Sequence, residues 1–164
     1  MRDFKQNHDW LSINTATVRK SRGQDLPLTD IIEACVSRGI NAISPWRDQV
    51  AAVGLNTVSK LVKTHGLKLS GYCRGGMFPA ATAAGIQAAD ADNRQAVDEA
   101  CELNAPCLVL VVGGLPGALS GQATHKNIHQ SRNQVFEGIE KLLAYAKSCT
   151  VSYTHLTLPT SDLV

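Results

Sequence analysis

Apolar and polar residues along the chain alternate between two periods, one typical of short strands and one typical of amphipathic helices. Residues 10–18 form the first predicted strand, and the first predicted helix begins near Pro27 and ends at Gly39. Its apolar positions follow the i, i+3, i+4, i+7, i+8 stripe of a helix that buries one face: Leu28, Ile31, Ile32, Cys35 and Val36. Proline in a first turn and glycine after a last turn are typical helix boundaries, so the pattern predicts one strand followed by one helix.

This strand-and-helix unit then recurs along the chain. Further strands are predicted at residues 42–46, 67–72 and 107–112, and further helices at about 55–66, 88–103 and 127–147. The fourth strand is a continuous apolar run of the kind that is buried on both faces of a sheet. Four such units predict a parallel sheet, because each crossover helix returns the chain to the same edge in the same direction.

Two architectures with a parallel sheet compete for this pattern. The length of 164 residues fits a doubly wound open sheet, whereas a closed (β/α)8 barrel typically needs about 250 residues. A complete flavodoxin-like module that binds a phosphorylated ligand without catalysis is therefore one hypothesis. However, the chain contains neither the G-x-G-x-x-G nor the G-x-x-x-x-G-K-[ST] phosphate motif, which weakens the open-sheet alternative.

In both architectures ligands bind at the carboxyl ends of the strands, so candidate functional residues are sought there. The second predicted strand ends in Trp46 and Arg47. An indole can cover the carbon face of a polyol while a guanidinium binds its hydroxyl or phosphate oxygens. The alternative is a half-buried tryptophan next to an arginine that is paired with Asp48.

The third predicted strand is followed by Cys73, Arg74, Gly75 and Gly76. Glycine permits a close approach of the backbone, so this run could present N–H groups and a cation to an anionic substrate. The alternative is a turn that only requires a positive φ. Both interpretations remain open from the residues alone.

Two other features at predicted strand or helix ends are weaker candidates. Gly113 and Gly114 follow the fourth strand and could also bind an anion, but a plain tight turn is the better interpretation. His125 and His129 stand four apart, as on one face of a helix in some metal sites. No third ligand joins them at a recognisable spacing, so we expect a solvated helix start there.

The composition narrows the classes of function. The formal net charge is only +2 and the basic residues are scattered, which argues against nucleic acid as a partner. No apolar stretch reaches the roughly 18 residues that a membrane span needs, and the first nine residues contain no apolar signal-peptide segment. The five cysteines are an odd number without a C-x-x-C pair, which argues against a disulfide framework. We therefore expect a cytoplasmic globular protein.

Four segments of the chain resemble the sugar phosphate isomerase/epimerase family of xylose isomerase-like TIM barrels: residues 10–18, 42–55, 71–80 and 107–116. The last three read AISPWRDQVAAVGL, GYCRGGMFPA and CLVLVVGGLP. The resemblance extends over about residues 1–149. It implies an α/β fold, the (β/α)8 TIM barrel, of which this chain would hold only the N-terminal half with about four βα units.

The resemblance also implies an activity on a sugar or sugar phosphate. In that family a divalent metal such as Mn, Mg, Co or Zn polarises the sugar while a pair of glutamates moves a proton between adjacent carbons. The family's metal ligands come from strands five to eight, and no position here matches them. The retained site residues would be substrate-facing ones such as Trp46, Arg47, Cys73, Arg74 and the glycines, so we expect the chain itself to be inactive.

Residues 151–164 do not resemble the fifth strand of that family, since they contain no acid before Asp162. The run VSYTHLTLPT resembles one reading frame of a transposon-type sequencing-library adapter. We therefore predict a half-barrel over residues 1–150 and a non-native tail over residues 151–164; an authentic divergent strand is the alternative. A half-barrel leaves strand edges and apolar faces uncovered, so we also expect low stability and self-association through those edges.

Overall fold

The computed structural model describes residues 3–5, 7–117, 123 and 127–148. The strands of the parallel sheets are β1 (Ile13–Asn14), β4 (Ala42–Ser44), β5 (Lys68–Leu69), β6 (Tyr72–Gly76) and β7 (Leu108–Val111), and β2 (Lys20–Ser21) and β3 (Gln24–Asp25) form a separate hairpin. The α-helices are α1 (Leu28–Ser37), α2 (Arg47–Val53), α3 (Leu55–Thr64), α4 (Ala83–Glu102) and α5 (Ile128–Ser148). The predicted alternation of strands and helices is confirmed.

The strands lie side by side in the order in which they occur along the chain. Parallel pairing joins β1 to β4, β4 to β5, and β6 to β7. A parallel bridge between Trp46 and Cys73 links the second strand to the third, whose two parts are β5 and β6. Doubly wound sheets reverse their strand order at a switch point, whereas a barrel adds each strand beside the last. The open-sheet alternative is therefore wrong, and the architecture is that of a half-barrel.

The first strand is much shorter than the nine residues predicted. β1 ends at Asn14, and a 3-10 helix follows at Thr15–Val18. The Asn14 side chain accepts a hydrogen bond from the Ala16 N–H at 3.0 Å, which caps this helix and ends the strand. A polar residue that can bond its own backbone therefore outweighs the β propensity of the residues around it.

The stretch between β1 and α1, for which no regular structure was predicted, holds the β2–β3 hairpin. Its turn is formed by Arg22 at φ 52° and Gly23 at φ 83°. Positive φ at both central residues is the geometry of a type I′ turn, the type that matches the twist of a two-stranded ribbon. The hairpin connects the 3-10 helix to the start of α1.

The second crossover contains two helices where one was predicted. α2 and α3 are separated by Gly54, whose φ of 96° is accessible to glycine at little cost. α3 carries the predicted apolar face, with Val58 and Val62 buried. The unpredicted α2 begins at Arg47, so this residue opens a helix at the strand end.

The third and fourth strands also depart from the prediction. β6 continues to Gly76, so Cys73 to Gly76 lie within a strand rather than in the turn after it. β7 was expected to be buried on both faces, but its residues are only partly buried and Val111 is 39% exposed. Within the described residues β7 pairs only with β6, and no other described strand lies at its second edge.

The last two helices occur where they were predicted, although one of them is longer. α4 begins five residues earlier than predicted, because Thr82 caps it by accepting a hydrogen bond from the Gly85 N–H at 3.1 Å. α5 confirms the helix predicted at 127–147. No helix among the described residues is long and apolar enough to cross a membrane.

The core lies between the sheets and the helices and forms two clusters. The larger cluster packs α1 and α3 on the strands around Ile43, which is completely buried. The smaller cluster packs α4 and α5 around Phe78 and Val97. The apolar side chains are therefore buried between the strands and the helices, and polar side chains occur at the carboxyl ends of the strands.

Candidate functional site

A cavity of about 490 Å³ lies at the carboxyl ends of the strands. Its lining comes from the ends of β1, β4 and β6 and from the adjoining helices: Ala16, Arg19, Trp46, Arg47, Asp48, Arg74, Gly75, Gly76, Met77 and Asp92. Five of these residues, Trp46, Arg47, Arg74, Gly75 and Gly76, are candidates from the sequence. The fold therefore brings most of the predicted site residues to one cavity.

Trp46 is held in the cavity wall by two contacts. Its Nε1–H donates to Asn14 Oδ1 at 2.8 Å, and the Arg19 guanidinium lies 5.1 Å from the ring centroid. Arg19 is in turn paired with Asp48, to whose Oδ1 its Nη2 donates at 2.9 Å. The indole ring is thus fixed between the first two strands, with a charge-paired arginine over it.

Arg47 is the centre of a polar network in the cavity wall. Its Nε donates to Glu99 Oε2 at 2.8 Å, and its Nη1 donates to Asp92 Oδ1 at 3.0 Å. The Tyr72 hydroxyl also donates to Glu99 Oε2, at 2.8 Å. The expected alternative pairing of Arg47 with Asp48 is wrong, because α4 supplies the acids for Arg47 and the hairpin side supplies Arg19 for Asp48.

The contacts within this network keep Arg47 and Glu99 charged and Tyr72 neutral. Burial alone raises the pKa of Glu99, but hydrogen bonds from Arg47 and Tyr72 outweigh it and hold the pKa below its usual value. Burial, together with donation to Glu99, raises the pKa of the Tyr72 hydroxyl. Hydrogen bonding to Glu99 likewise raises the pKa of Arg47. The pattern is a carboxylate held ionised by an arginine and a neutral tyrosine.

Arg74 occupies a β-bulge in β6. Cys73 pairs with Val109 and Gly75 pairs with Leu110, so Arg74 is the surplus residue between two matched positions. The Cys73–Arg74 peptide bond is cis. Bulges re-aim a side chain out of the regular alternation of a strand, and Arg74 lines the cavity, half-buried. Its side chain makes no hydrogen bond or ion pair with any of the described residues.

Cys73, Gly75 and Gly76 are buried and serve close packing in the structure. The Cys73 thiol lies 3.7 Å from Ser44 Oγ, and burial raises its pKa, which disfavours a thiolate. A Cβ on Gly76 would lie 2.2 Å from the carbonyl oxygen of Val111. The Gly76 N–H donates to Asn93 Oδ1, so that group is not open to a ligand.

Gly113 and Gly114 do not line the cavity. Gly113 has a φ of 80°, and a Cβ there would lie 3.3 Å from the Met77 sulfur, whereas Gly114 faces open space. Gly113 therefore contacts a residue of the cavity wall without reaching the cavity itself. Its positive φ agrees with the tight-turn interpretation.

A divalent metal site needs several ligand side chains close together among the described residues. No group of three or more His, Cys, Asp or Glu side chains that could hold a metal ion occurs among them. His129 is exposed on α5, and its predicted neighbour His125 lies outside the described residues. The part of the chain that the structure describes does not fit a divalent metal.

Five of the lining residues were not among the candidates from the sequence: Ala16, Arg19, Asp48, Met77 and Asp92. Arg19 and Met77 each follow a strand end by a few positions, so a wider search of the loops could have found them. Asp92 lies on α4, 45 residues from Arg47, and no local pattern links the two. Met77 has a φ of 62°, an uncommon conformation for a residue with a side chain.

Comparison with known proteins gives matches among solved structures. Protein SMc04130 from Sinorhizobium meliloti 1021 is 47% identical, with a TM-score of 0.81 over 90% of this chain and 50% of that one. D-psicose 3-epimerase with D-tagatose from Clostridium cellulolyticum H10 is 10% identical, with a TM-score of 0.64 over 87% of this chain and 50% of that one. The IolI protein with a bound zinc atom is 15% identical, with a TM-score of 0.69 over 87% of this chain and 49% of that one.

The chain therefore spans about half the length of the proteins that it resembles. No protein-family model and no curated protein matches it. The shared fold, the sequential order of the parallel strands and the half coverage agree with each other. The chain has the fold of half of a xylose isomerase-like TIM barrel.

Proposed function

We propose that this chain forms the substrate-facing half of an isomerase or epimerase that acts on a sugar or sugar phosphate. The observation that carries the proposal is the cavity at the carboxyl ends of the strands, where the Trp46 ring lies beside charged groups. This end of the strands is where barrel enzymes bind their substrates. One protein of the same fold was solved with the sugar D-tagatose, which supports a sugar as the ligand.

The contacts of Trp46, Arg74 and Arg47 support a different proposed role for each of them. Trp46 covers carbon faces of the substrate, because its ring is already oriented by Asn14. Arg74 binds oxygen atoms of the substrate, since its guanidinium has no partner among the described residues. Arg47 acts as a positioning residue that fixes the wall through Glu99.

The remaining predicted residues have supporting roles in the proposal. Cys73 and Gly75 let the bulge lie close to its neighbouring strand, and a Cβ on Gly75 would lie 2.9 Å from Leu110 Cδ2. Because Gly76 has no side chain, the Val111 carbonyl can lie close to its backbone. Gly113 and Gly114 shape the adjoining loop. None of these residues needs to move a proton.

The catalytic chemistry is assigned to the parent protein. A divalent metal, Mn, Mg, Co or Zn, would polarise the substrate there, and one protein of this fold was solved with zinc. Because the described residues hold no ligand set, we assign no step of the reaction to them. The chain itself binds and orients, and we expect it to be inactive alone. A cytoplasmic location remains a prediction.

The test begins with the coding sequence of the source gene beyond codon 150. A continuation whose strands end in Glu, Asp, His and Glu is expected; the absence of such strands would contradict the parent enzyme. The full-length product should interconvert ketoses or their phosphates with added divalent metal, as followed by chromatography. Trp46→Ala should lower kcat/KM about a hundredfold through lost sugar contacts.

A matched control separates the cavity from general effects of tryptophan loss. Trp10 is 66% exposed and lies outside the cavity lining. Trp10→Ala is expected to leave kcat/KM unchanged. Equal losses for the two variants would mean that the Trp46 ring has no special role.

We also propose that this chain associates with a second copy of itself through its open edges. Exposed apolar side chains occur on the last strand and the last helix: Val111, Ile128 and Phe136, the last of which is 64% exposed. Sedimentation should show a dimer or larger species that Phe136→Glu weakens. A concentration-independent monomer would contradict this proposal.

The division at residue 150 is proposed on the same basis. Residues 151–164 lie outside the described residues. Deletion of these residues is expected to leave the thermal midpoint unchanged, because a non-native tail contributes no packing. A marked fall in the midpoint would instead favour an authentic fifth strand.

A further inference from the structure

Three arginines line the cavity, and two of them are neutralised by acids. Arg19 forms a two-pronged pair with Asp48, and Arg47 is paired with Asp92 and Glu99. Arg74 makes no such pair with any residue in the described ranges. The cavity therefore presents one guanidinium that has no ion-pair partner among the described residues.

The local backbone explains why this side chain faces the cavity. Tyr72 and Gly75 both face α4, since Tyr72 bonds Glu99 and a Cβ on Gly75 would lie 3.3 Å from Asn93 Oδ1. Strict alternation would turn the residue two after Tyr72 toward that helix as well. The bulge inserts Arg74 before Gly75, so Gly75 takes the position that faces the helix. The Arg74 side chain lines the cavity instead.

An unpaired guanidinium that is half-buried in a concave site is a strong recognition element for an oxyanion. It is planar, remains charged at all ordinary pH values and binds carboxylate or phosphate through two parallel hydrogen bonds. A neutral hydroxyl would satisfy its hydrogen-bond donors without forming an ion pair with it. The free cation therefore favours anionic ligands over neutral ones.

We infer that the substrate carries an oxyanion, a phosphate or a carboxylate, and that Arg74 binds it. The inference rests on the proposed function only in calling the ligand a substrate, and it narrows that function from sugars in general to their phosphates or acids. Trp46 then lies against the carbon chain of the same molecule. Binding and selectivity can be measured without catalysis, because Arg74 and Trp46 both belong to this chain and line one cavity.

The experiment is a fluorescence titration of the full 164-residue chain in a Trp10→Phe background. Trp46 is then the only tryptophan, since the chain contains two. The probes are D-fructose, D-fructose 6-phosphate and D-gluconate, which share a carbon chain length and differ in charge. We expect at least one anionic probe to bind about ten- to a hundredfold more tightly than D-fructose. Calorimetry on the chain without the Trp10 substitution provides a second measurement.

The variants separate charge from shape. Arg74→Gln is expected to abolish the preference for anionic probes, whereas Arg74→Lys keeps part of it as a point charge. Arg132 is exposed on α5, so Arg132→Gln should leave the preference unchanged and controls for net charge. Circular dichroism confirms that each variant is folded. The relative affinities of the phosphate and carboxylate probes identify the kind of oxyanion.

Two results would overturn the inference: equal affinity for neutral and anionic probes, including no binding of any, or an anion preference that survives Arg74→Gln. The proposed function has separate outcomes. Isomerisation of neutral sugars by the full-length product, independent of Arg74, would retain the function and reject the inference. Selective anion binding without any isomerisation would do the reverse.

Discussion

Arg47 and Glu99 are joined by two hydrogen bonds, from Nε to Oε2 at 2.8 Å and from Nη2 to Oε1 at 3.2 Å. Arg47 opens the helix after the second strand, and Glu99 lies on the helix after the third. Their side chains are 18% and 16% exposed. The pair therefore fixes two neighbouring βα units to each other at the cavity wall.

Breaking this pair should destabilise the fold. Glu99→Gln leaves the Arg47 charge partly buried with only Asp92 as an acid partner, so we expect the free energy of unfolding to fall by about 2 kcal/mol. Urea denaturation measures the loss. Glu140, which is exposed on α5, gives the matched control, since Glu140→Gln should change stability by less than about 0.5 kcal/mol. Equal effects would mean that the pair is energetically neutral.

The same carboxylate should make stability depend on pH. The folded state lowers the pKa of Glu99 below its ordinary 4.5, so the folded state binds this proton less tightly than the unfolded state. Its stabilising contribution is therefore complete above about pH 4.5 and disappears as the pH falls through the folded-state value. Thermal midpoints from pH 7 to pH 3 should fall less steeply for Glu99→Gln.

Asp48 contributes to this acid sensitivity in the same direction. Its hydrogen bond from Arg19 lowers its pKa, so Asp48→Asn should also flatten the profile, although less, because this pair is more exposed. A pH profile unchanged in both variants would contradict the assignment of the acid sensitivity to these pairs.

Gly138 should tolerate no side chain, although it lies inside a helix. A Cβ at this position would lie 2.3 Å from Phe78 Cδ1. Gly138→Ala should therefore lower the free energy of unfolding by about 2 kcal/mol, despite the higher helix propensity of alanine. Gly114 faces open space, so Gly114→Ala is the control and should be nearly neutral. A stabilised Gly138→Ala variant would show that α5 is free to shift away from Phe78.

Arg22 offers a stabilising substitution. It is exposed and has a φ of 52° in the β2–β3 turn, where Asn is better tolerated than other residues with side chains. Arg22→Asn creates the preferred Asn-Gly pair with Gly23 and should raise stability by about 0.5 kcal/mol. Gly23→Ala should lower it by about 1 kcal/mol, because Gly23 has a φ of 83° with open space around it. Calorimetric midpoints that change in the opposite directions would reject the turn type.

The parts of the fold that local patterns encode were predictable. The apolar stripe of α1 and its boundaries at Pro27 and Gly39 follow from helix periodicity and from the backbone preferences of those residues. The end of β1 was not predictable from β propensity, because the Asn14 side chain bonds the backbone two residues on. α2 was missed because its seven residues are too few for a clear period.

The candidate site shows the same limit. Strand ends are visible as changes of pattern, so Trp46 and Arg74 could be selected from the sequence. The acid partners of Arg47 were not predicted: the alternative interpretation paired it with Asp48, which is adjacent in sequence, whereas Glu99 is 52 residues away. The bulge at Arg74 depends on how β6 pairs with β7, and a pairing register is not contained in one strand.

By itself, the sequence determined where apolar and polar residues alternate, which helices bury one face, and which side chains lie at the strand ends. These are properties of neighbours along the chain, governed by backbone preference and by the period of apolar positions. Only the tertiary structure decided that the strands follow each other in order, that Arg19 and Arg47 are neutralised, and that Arg74 is not. Those properties depend on distances between residues far apart in sequence, because charge pairing and strand register are set where separate elements meet.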